Sequence, residues 1–290
     1  MVKLIGAFAP AKLNLFLRVV GRRADGYHEL DSIFVPITLG DRLALQMRPA
    51  AASVATLGGI YGTLPSDDRN LAVRAARDFM AEFGCPAEVL IDLRKATPVG
   101  AGLGGGSSDA GAVLRMLAAL TRIDAPERLA RVALRLGADV PYFLDPRPAR
   151  VGGIGERIVP LGALAPMPLV IAVPPIEAAT AQVFRDLQPS DWSGPASDAQ
   201  VRAIVAGEIT PQLLVNDLAR AAMARWPAIA QAKALLESIG ARGAAMTGSG
   251  AGVFGIFATA EAAAHAAGEI RRRAPQMRTF TAAIQPPTTA

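Results

Sequence analysis

Apolar and polar residues alternate along the first part of the chain, a pattern that favours β-strands. Over residues 12–20, leucine and valine occupy every second position, which predicts a strand with side chains on two opposite faces. Asp25-Gly26 follows and is typical of a hairpin turn. Further strands are predicted where apolar runs recur, at residues 32–37, 42–47, 88–93, 169–173, 253–257 and 277–284.

Apolar residues at three- and four-residue spacing predict helices between these strands. One helix begins after Asn70, a good N-cap, places Leu71 and Phe79 on one face, and ends at Gly84. The other predicted helices span residues 107–121, 126–136, 178–186, 211–225, 228–239 and 260–273. Because strands and helices are mixed without strict alternation, the sequence predicts an α+β fold.

The length of 290 residues suits one large domain or two medium ones. Hydrophobic residues make up 51% of the chain and charged residues 19%, which is enough apolar surface for a sizeable core. Proline and glycine are concentrated at residues 145–168, which form either a domain boundary or a hairpin. We predict two domains, at residues 1–160 and 161–290.

Charge and cysteine content narrow the functional classes. The net charge is +5, but the basic residues are dispersed and not interleaved with aromatic residues, so we predict no nucleic-acid partner. Apolar runs are too short for a membrane-spanning helix, and the N-terminal stretch lacks the pattern of a signal peptide. The single cysteine excludes an internal disulfide. We therefore expect a cytoplasmic protein with no membrane partner.

A glycine-rich segment directly before a predicted helix carries the strongest chemical signal. Five of the seven residues from 100 to 106 are glycine, and Ser107, Ser108 and Asp109 follow. Glycine lets a ligand approach the backbone closely, and the free N–H groups at a helix start favour an anion, most often phosphate. The alternative is a glycine-rich turn without a ligand, which would gain nothing from so many flexible residues.

Two common phosphate-binding motifs do not fit this segment. Gly100, Gly102 and Gly105 have the spacing of a dinucleotide-binding loop, but the acid expected about 20 residues later falls in a turn between helices. The lysine that ends a P-loop is also missing from the segment. We therefore predict a phosphate site of a third kind.

The segment at residues 98–108 resembles the central motif of the GHMP kinases. Residues 9–30, which include Ala-Pro-Ala-Lys-Leu-Asn and Asp-Gly-Tyr-His, and residues 247–254 are similar to the family's first and third motifs. Val99 and Gly252 depart from the residues that the family often carries there, at positions suited to packing rather than chemistry. The resemblance implies a two-domain α+β GHMP kinase fold with the active site in the interdomain cleft.

The resemblance further implies transfer of a phosphoryl group from ATP, with Mg²⁺, to a cytidine diphosphate sugar alcohol. Asp139 is then the general base for the acceptor hydroxyl, and Lys12 stabilises that base and the developing charge. By position alone, Asp139 is better explained as a turn residue and Lys12 as a solvated strand residue. The sequence offers no clear metal ligand, and it suits a monomer or a homodimer.

The predicted binding residues divide between the two substrates. For ATP they are the glycine-rich segment and two weaker candidates, namely Pro98, Val99, Gly100, Ala101, Gly102, Leu103, Gly104, Gly105, Gly106, Ser107, Ser108, Asn70 and Lys95. For the acceptor they are Asn14, Tyr27, His28, Thr180, Gly248, Ser249 and Gly250. Within the second set, Asn14 shares a strand face with Lys12, while Tyr27 and His28 supply a ring to stack on cytosine and an imidazole for its edge.

Each of these assignments has a structural alternative. Asn70 is equally well explained as an N-cap and Lys95 as a surface charge. Tyr27 and His28 are the aromatic residues that would pack on a hairpin, and residues 248–252 also suit a tight turn.

Three other functions stay open on the sequence. The first is a GHMP kinase for homoserine or mevalonate, neither of which has a base for Tyr27 and His28 to bind. The second is a ligand-binding sensor that has the fold without catalysis, against which Lys12 and Asp139 argue. The third is nucleic-acid binding, which charge alone suggests.

Overall fold

The computed structural model describes residues 2–60, 62 and 64–284. Its strands are β1 (Lys3–Arg22), β2 (His28–Pro49), β3 (Val54–Ile60), β4 (Ala87–Arg94), β5 (Ala149–Gly153), β6 (Arg157–Pro160), β7 (Met167–Val173), β8 (Gly243–Met246), β9 (Val253–Ile256) and β10 (Arg278–Ile284). Its α-helices are α1 (Leu71–Phe83), α2 (Gly105–Thr121), α3 (Pro126–Leu136), α4 (Thr180–Asp186), α5 (Asp198–Val205), α6 (Ala219–Arg225), α7 (Pro227–Ser238) and α8 (Ala260–Arg273). The α+β class predicted from the sequence is confirmed.

The chain forms two compact units that alternate along the sequence. Unit 1 comprises Met1–Ala11, Gly40–Thr97 and Gly104–Pro146, and unit 2 comprises Lys12–Leu39, Pro98–Leu103 and Arg147–Ala290. Each unit is built from three separate stretches of the chain, so no single boundary divides the chain into the two units. The predicted boundary at residue 160 stays a prediction.

In unit 1, helix α1 packs on strands β3 and β4, and helices α2 and α3 pack on α1. Strand β4 pairs antiparallel with the second half of β2 and parallel with β3. Val89, Ile91 and Leu93 of β4 are buried, whereas the residues between them are exposed or half-buried. The alternation therefore turns one face of the sheet into the core.

In unit 2, strands β10, β7, β9 and β8 lie side by side, each antiparallel to the next. Helix α8 packs on β7 and β10, and helix α7 packs on β8 and β9. Val170, Val253 and Ile270 are completely buried between these layers. The first half of β2 pairs with β5, which in turn pairs with β6.

Local sequence signals correctly predicted several elements. Helix α1 is capped by the side chain of Asn70, which accepts a hydrogen bond from Ala72 N–H, and it ends at Gly84 in the left-handed region. The turn at Gly26 has φ of 89° and joins β1 to β2. Residues 145–168 contain the β5–β6 hairpin, one of the two alternatives that the prolines and glycines left open.

Other predicted elements were wrong. The strands expected at residues 32–37 and 42–47 are parts of one long strand, β2, and the first strand begins earlier than residue 12. Strand β3 and helix α5 were not predicted. The helix expected at residues 211–225 begins only at Ala219, because Asn216 and Asp217 just before it hydrogen-bond to other segments.

None of the helices in the described part of the chain is long and apolar enough to cross a membrane.

Helix α8 depends on one side-chain cap that can be tested. Thr259 Oγ1 accepts a hydrogen bond of 3.1 Å from Ala262 N–H at the helix start. Replacing Thr259 with valine (Thr259→Val) removes the acceptor and keeps the shape, so we expect the free energy of unfolding to fall by about 1 kcal/mol in chemical denaturation. Thr259→Ser keeps the cap and is expected to match the parent protein. An equal loss in both variants would contradict the capping role.

Candidate active site

The glycine-rich segment connects β4 to α2 and has the backbone expected of an anion site. Gly100 and Gly102 both have φ of 70°, and Gly104 caps α2 with φ of 69° and no side-chain hydrogen bond. Ser108 N–H already bonds to the Gly104 carbonyl at 2.8 Å. The N–H groups of the preceding residues in the first turn have no partner within the helix, so they are available to an anion.

The glycines of this segment serve different purposes. A Cβ on Gly102 would collide with the Thr247 carbonyl, and a Cβ on Gly105 would lie 2.8 Å from Thr97 Cγ2. A Cβ on Gly106 would meet only Leu71 Cδ1, at 3.7 Å, and one on Gly100 would meet nothing within 4 Å. Gly102 and Gly105 are therefore required by protein packing. A Cβ would make only an ordinary contact at Gly106 and would enter open space at Gly100, where the positive φ alone favours glycine.

Within unit 2, the first glycine-rich loop (residues 98–103) is hydrogen-bonded to a second glycine-rich loop (residues 247–252). Gly252 N–H donates to the Ala101 carbonyl at 3.1 Å, and Ala251 N–H donates to the Gly100 carbonyl at 3.3 Å. Gly248 has φ of 57°, and a Cβ there would lie 2.9 Å from the Gly102 carbonyl oxygen. Some of the glycines that were predicted to bind substrates are therefore needed for this contact between the loops.

Lys12 is buried beside the first loop. Its side chain is 3% exposed, its Nζ donates to Asn14 Oδ1 at 2.6 Å, and Nζ lies 4.7 Å from the centre of the Phe34 ring. Its backbone N–H donates to the Leu103 carbonyl at 2.9 Å. The expectation that Lys12 and Asn14 share one strand face is confirmed, and the alternative of a solvated lysine is wrong.

Asn14 is engaged by several protein groups. Its Oδ1 accepts from Lys12 Nζ and, at 2.9 Å, from Gly248 N–H, while its Nδ2 donates to Ser32 Oγ at 2.9 Å. Ser32 Oγ in turn donates to the Phe16 carbonyl. These contacts fix the amide so that its oxygen faces the ammonium group of Lys12. The predicted role of Asn14 in binding the acceptor stays a prediction, beside this clear role in holding Lys12.

In unit 1, Lys95 is buried between two carboxylates. Its Nζ lies 2.5 Å from Asp41 Oδ2 and 2.8 Å from Asp109 Oδ2, with only 10% of the side chain exposed. Asp41 also accepts from the backbone N–H groups of Ala96 and Thr97, at 2.6 and 2.8 Å. The surface-charge alternative for Lys95 is wrong, because this cluster fixes the chain where it leaves β4 for the glycine-rich segment.

Within this cluster, Asp109 has a raised pKa. Burial raises the pKa of Asp109 to about 7, against the opposing effect of Lys95 and with a further contribution from the Asp41 charge. Its Oδ1 is buried without a hydrogen-bond partner among the described residues. Below about pH 7, Asp109 is therefore largely a neutral carboxyl group in a site of low dielectric constant.

The other residues predicted for ATP have local structural contacts. Asn70 accepts from Ala72 N–H at 3.0 Å and donates to the Pro65 carbonyl at 3.0 Å. Ser108 is buried, and its hydroxyl donates to the Pro10 carbonyl at 2.7 Å. Ser107 is half-buried in the first turn of α2, and Val99 is 61% exposed. None of these contacts tests their assignment to ATP.

Asp139 lies in a tight turn of unit 1 after helix α3. Val140 N–H donates to the Gly137 carbonyl at 3.1 Å, and the Val140 side chain is completely buried in the core. The turn thereby fixes Asp139 between an anchored neighbour and the helix end. Burial raises the pKa of nearby Tyr142 well above its usual value, and the negative charge of Asp139 adds to this shift.

His28 lies in an aromatic cluster of unit 2. Its ring stacks on Phe184, with centroids 5.3 Å apart, and meets Trp192 edge-on at 5.9 Å. Burial lowers the pKa of His28, and the charge of Arg22 lowers it further. The imidazole is therefore neutral near pH 7, with one nitrogen that donates and one that accepts. Tyr27, beside it, is 62% exposed.

The segment that carries Trp192 is held by two buried carboxylates. Asp217 accepts from Ser193 N–H at 2.9 Å, and Asp31 accepts from Ala196 N–H at 2.8 Å. The position of Trp192 against His28 is therefore set by the fold of unit 2.

Thr180 and Ser249, both predicted for the acceptor, are neighbours in unit 2. Their hydroxyl oxygens lie 2.7 Å apart, with Thr180 at the start of α4 and Ser249 in the second glycine-rich loop. Gly250 is buried in the same loop.

Sequence reasoning missed several residues of this region. Phe184 and Trp192 contact His28, Asp41 holds Lys95, and Thr247 contacts Asn14. Aromatic residues at helical or loop positions carry no signal of such a contact. Thr247, by contrast, is the first residue of the recognised motif at residues 247–254, but it was not assigned a role.

The described residues contain no group of three or more His, Cys, Asp or Glu side chains arranged to hold a metal ion.

Two family models match the chain. The model described as "GHMP kinases N terminal domain" matches residues 70–145, and "GHMP kinases C terminal" matches residues 210–276. A protein of Anaeromyxobacter dehalogenans named 4-diphosphocytidyl-2-C-methyl-D-erythritol kinase is 44% identical over 274 residues, which cover 92% of this chain and 85% of the relative.

Solved structures give the same picture. A crystal structure of 4-(cytidine 5'-diphospho)-2C-methyl-D-erythritol kinase is similar with a TM-score of 0.82 and 37% identity, over 98% of this chain and all of the other. A homoserine kinase from Cytophaga hutchinsonii has a TM-score of 0.73 at 18% identity, over 98% and 95% of the two chains. The second likeness shows a common fold alone.

The raised pKa of Asp109 predicts a pH dependence of stability. The folded protein retains the Asp109 proton up to about pH 7, whereas the unfolded chain releases it near the ordinary value of 3.8. Ionisation therefore lowers the free energy of unfolding as the pH rises from about 4 to about 7, by on the order of 4 kcal/mol in total. The amide of Asp109→Asn does not ionise. Its free energy of unfolding, relative to that of the parent, should therefore rise from about pH 4 to about pH 7.

Urea denaturation of both proteins at pH 5 and pH 8 measures this effect. The same pH dependence in the parent and in Asp109→Asn would contradict the raised pKa.

Proposed function

The chain belongs to the GHMP kinase family, and from this premise we propose that it phosphorylates 4-diphosphocytidyl-2-C-methyl-D-erythritol at its 2-hydroxyl. ATP supplies the γ-phosphoryl group, and the products are ADP and the 2-phosphate of the acceptor, in the non-mevalonate route to isoprenoid precursors. The proposal rests on a relative named as the kinase for this substrate at 44% identity and on a structure of such a kinase at 37% identity, both over more than nine-tenths of this chain.

The observation that carries the proposed chemistry is the buried ammonium group of Lys12 next to the first glycine-rich loop. Asn14 Oδ1 holds its Nζ at 2.6 Å, and its backbone is bonded to Leu103 at 2.9 Å. A buried positive charge is stronger than a solvated one because little water screens it. Phosphoryl transfer depends on positioning and on neutralising charge, which such a group supplies.

In the proposed reaction Asp139 is the general base. Its carboxylate accepts the proton of the 2-hydroxyl as the hydroxyl oxygen bonds to the γ-phosphorus, and the bond from that phosphorus to the β,γ-bridging oxygen breaks. Lys12 orients the hydroxyl and stabilises the charge that develops on the transferred group. The tight turn between Gly137 and the buried Val140 supports this role, since it limits the motion of the base.

The ATP phosphates are proposed to bind the backbone of residues 98–108 at the start of α2. The space beside these glycines supports this assignment, because a Cβ at Gly100 would meet no protein atom within 4 Å and one at Gly106 would meet only Leu71 Cδ1. The Lys95 cluster fixes the entry to this loop, and Asn70 lies one residue before Leu71, which faces Gly106. A Mg²⁺ ion bound to the phosphate oxygens would neutralise part of their charge.

The cytidine part of the acceptor is proposed to bind at Tyr27 and His28. The exposed Tyr27 ring provides an apolar face for stacking. A neutral His28 has a donor on one ring nitrogen and an acceptor on the other, and either nitrogen suits one hydrogen bond to the edge of cytosine. Thr180, Gly248, Ser249 and Gly250 are assigned to the rest of the acceptor. The second candidate function is a kinase for homoserine or mevalonate. It is less favoured because neither compound has a base that Tyr27 and His28 could bind.

An ADP-release assay with three acceptors tests the proposed substrate. We expect turnover with the cytidine-bearing acceptor at least about 100-fold faster than with homoserine or mevalonate, because those lack the base that His28 and Tyr27 bind. Tyr27→Ala should raise KM for the cytidine-bearing acceptor about tenfold and leave KM for ATP unchanged.

Tyr142 is buried in unit 1 and therefore cannot serve as a matched control for the exposed Tyr27. The parent protein, assayed with each acceptor, is the reference. Faster turnover of homoserine or mevalonate would sink the substrate assignment. A Tyr27→Ala effect confined to ATP would place Tyr27 in the other binding site.

The role of Asp139 is tested by Asp139→Asn. Removing the base should lower kcat by about 100-fold or more while ATP affinity stays within about twofold of the parent, because the carboxylate acts on the acceptor hydroxyl. Steady-state kinetics and ATP titration measure the two quantities. Asp145→Asn, in the same unit, is the control and should keep its kcat. Near-normal turnover by Asp139→Asn would refute the assignment.

A further inference from the structure

The Thr247 hydroxyl lies where three segments of unit 2 meet. The residue is completely buried and directly follows β8. Its Oγ1 accepts a hydrogen bond of 3.1 Å from Asn14 N–H. The hydroxyl proton is within reach of two acceptors, Asn14 Oδ1 at 3.3 Å and the Gly102 carbonyl at 3.4 Å. One hydroxyl therefore contacts both β1 and the first glycine-rich loop.

The contacts with Asn14 lead directly to Lys12. Asn14 Oδ1 holds Lys12 Nζ at 2.6 Å, and the same oxygen accepts from Gly248 N–H at 2.9 Å. Thr247 and Gly248 thus bind both the backbone and the side chain of Asn14. A shift of Asn14 would move the acceptor that fixes the ammonium group.

The contact with Gly102 leads to the glycine-rich loop. The Gly102 carbonyl faces the Thr247 hydroxyl, and a Cβ on Gly102 would collide with the Thr247 backbone. Thr247 N–H donates to the Gly252 carbonyl at 3.0 Å, and Gly252 N–H donates to Ala101 at 3.1 Å. The same residue is therefore tied to the loop by its side chain and by its backbone.

We propose that Thr247 is a positioning residue for phosphoryl transfer, which holds Lys12, through Asn14, in a fixed place relative to the loop at residues 98–103. The inference rests on the proposed function, because it assumes that Lys12 acts on the transferred group. Thr247 touches neither substrate in this role. It acts by limiting the position of an ammonium group, and small displacements of such a group slow a reaction strongly.

Thr247→Val tests the proposal, since it removes the hydroxyl and keeps the shape. The buried Asn14 N–H then loses its acceptor, and the Asn14–Lys12 pair is free to shift. We expect kcat with the cytidine-bearing acceptor to fall about 10- to 100-fold, with KM for ATP and for the acceptor within about threefold of the parent. Thr247→Ser keeps the hydroxyl and should restore kcat to within about threefold.

A double-mutant cycle with Lys12→Gln separates positioning from a general structural role. If Thr247 acts through Lys12, Thr247→Val should slow the Lys12→Gln enzyme by less than about twofold. If Thr247 only stabilises the fold, the loss should be the same in both backgrounds. Thr259→Val, which removes a threonine cap from α8, is the matched control and should leave kcat unchanged.

Thr247→Ala also lacks the hydroxyl. It provides a second test in case the valine side chain does not fit this buried position. Unchanged kcat in a folded hydroxyl-free variant, no rescue by serine, or full additivity with Lys12→Gln would each overturn the proposal. The proposed function fails in a different way, namely if Lys12→Gln itself turns over at the rate of the parent.

Discussion

The contact between the two glycine-rich loops is the constraint on which the candidate site depends. Backbone N–H groups of Ala251 and Gly252 bond to carbonyls of the first loop, at 3.3 and 3.1 Å. This approach is possible because Gly102 and Gly248 have no Cβ and both take positive φ. The loop proposed for the phosphates and the network around Lys12 therefore share one rigid backbone frame, in which neither part can be placed independently of the other.

Sequence patterns predicted those parts of the fold that depend on neighbouring residues. The start and end of α1 follow from Asn70 and Gly84, because capping is decided within one helical turn. The extent of β2 was not predictable in this way, since its pairing with β4 and β5 carries it through Gly40, where a local reading expects a break. Helix α6 begins late for a similar reason, namely the distant partners of Asn216 and Asp217.

The candidate site was predictable to the extent that its residues lie in motifs. The spacing of Lys12 and Asn14 placed them on one strand face, and the 2.6 Å contact agrees. Lys95 was open to a surface interpretation because the carboxylates that bury it come from residues 54 positions before it and 14 after it. Phe184, likewise, contacts His28 across a large sequence separation. Contacts of this kind are set by the tertiary fold and leave no mark on the local sequence.

The loop-to-loop contact also has a consequence for how the protein is made. The Gly102 carbonyl and the Thr247 hydroxyl are 145 residues apart in the chain, so their contact closes a very long loop. Closing such a loop costs more chain entropy than a local contact and slows its formation. During synthesis the first loop emerges from the ribosome long before its partner. The frame around Lys12 therefore assembles only after most of the chain has been translated, and a nascent chain shorter than this has no complete site.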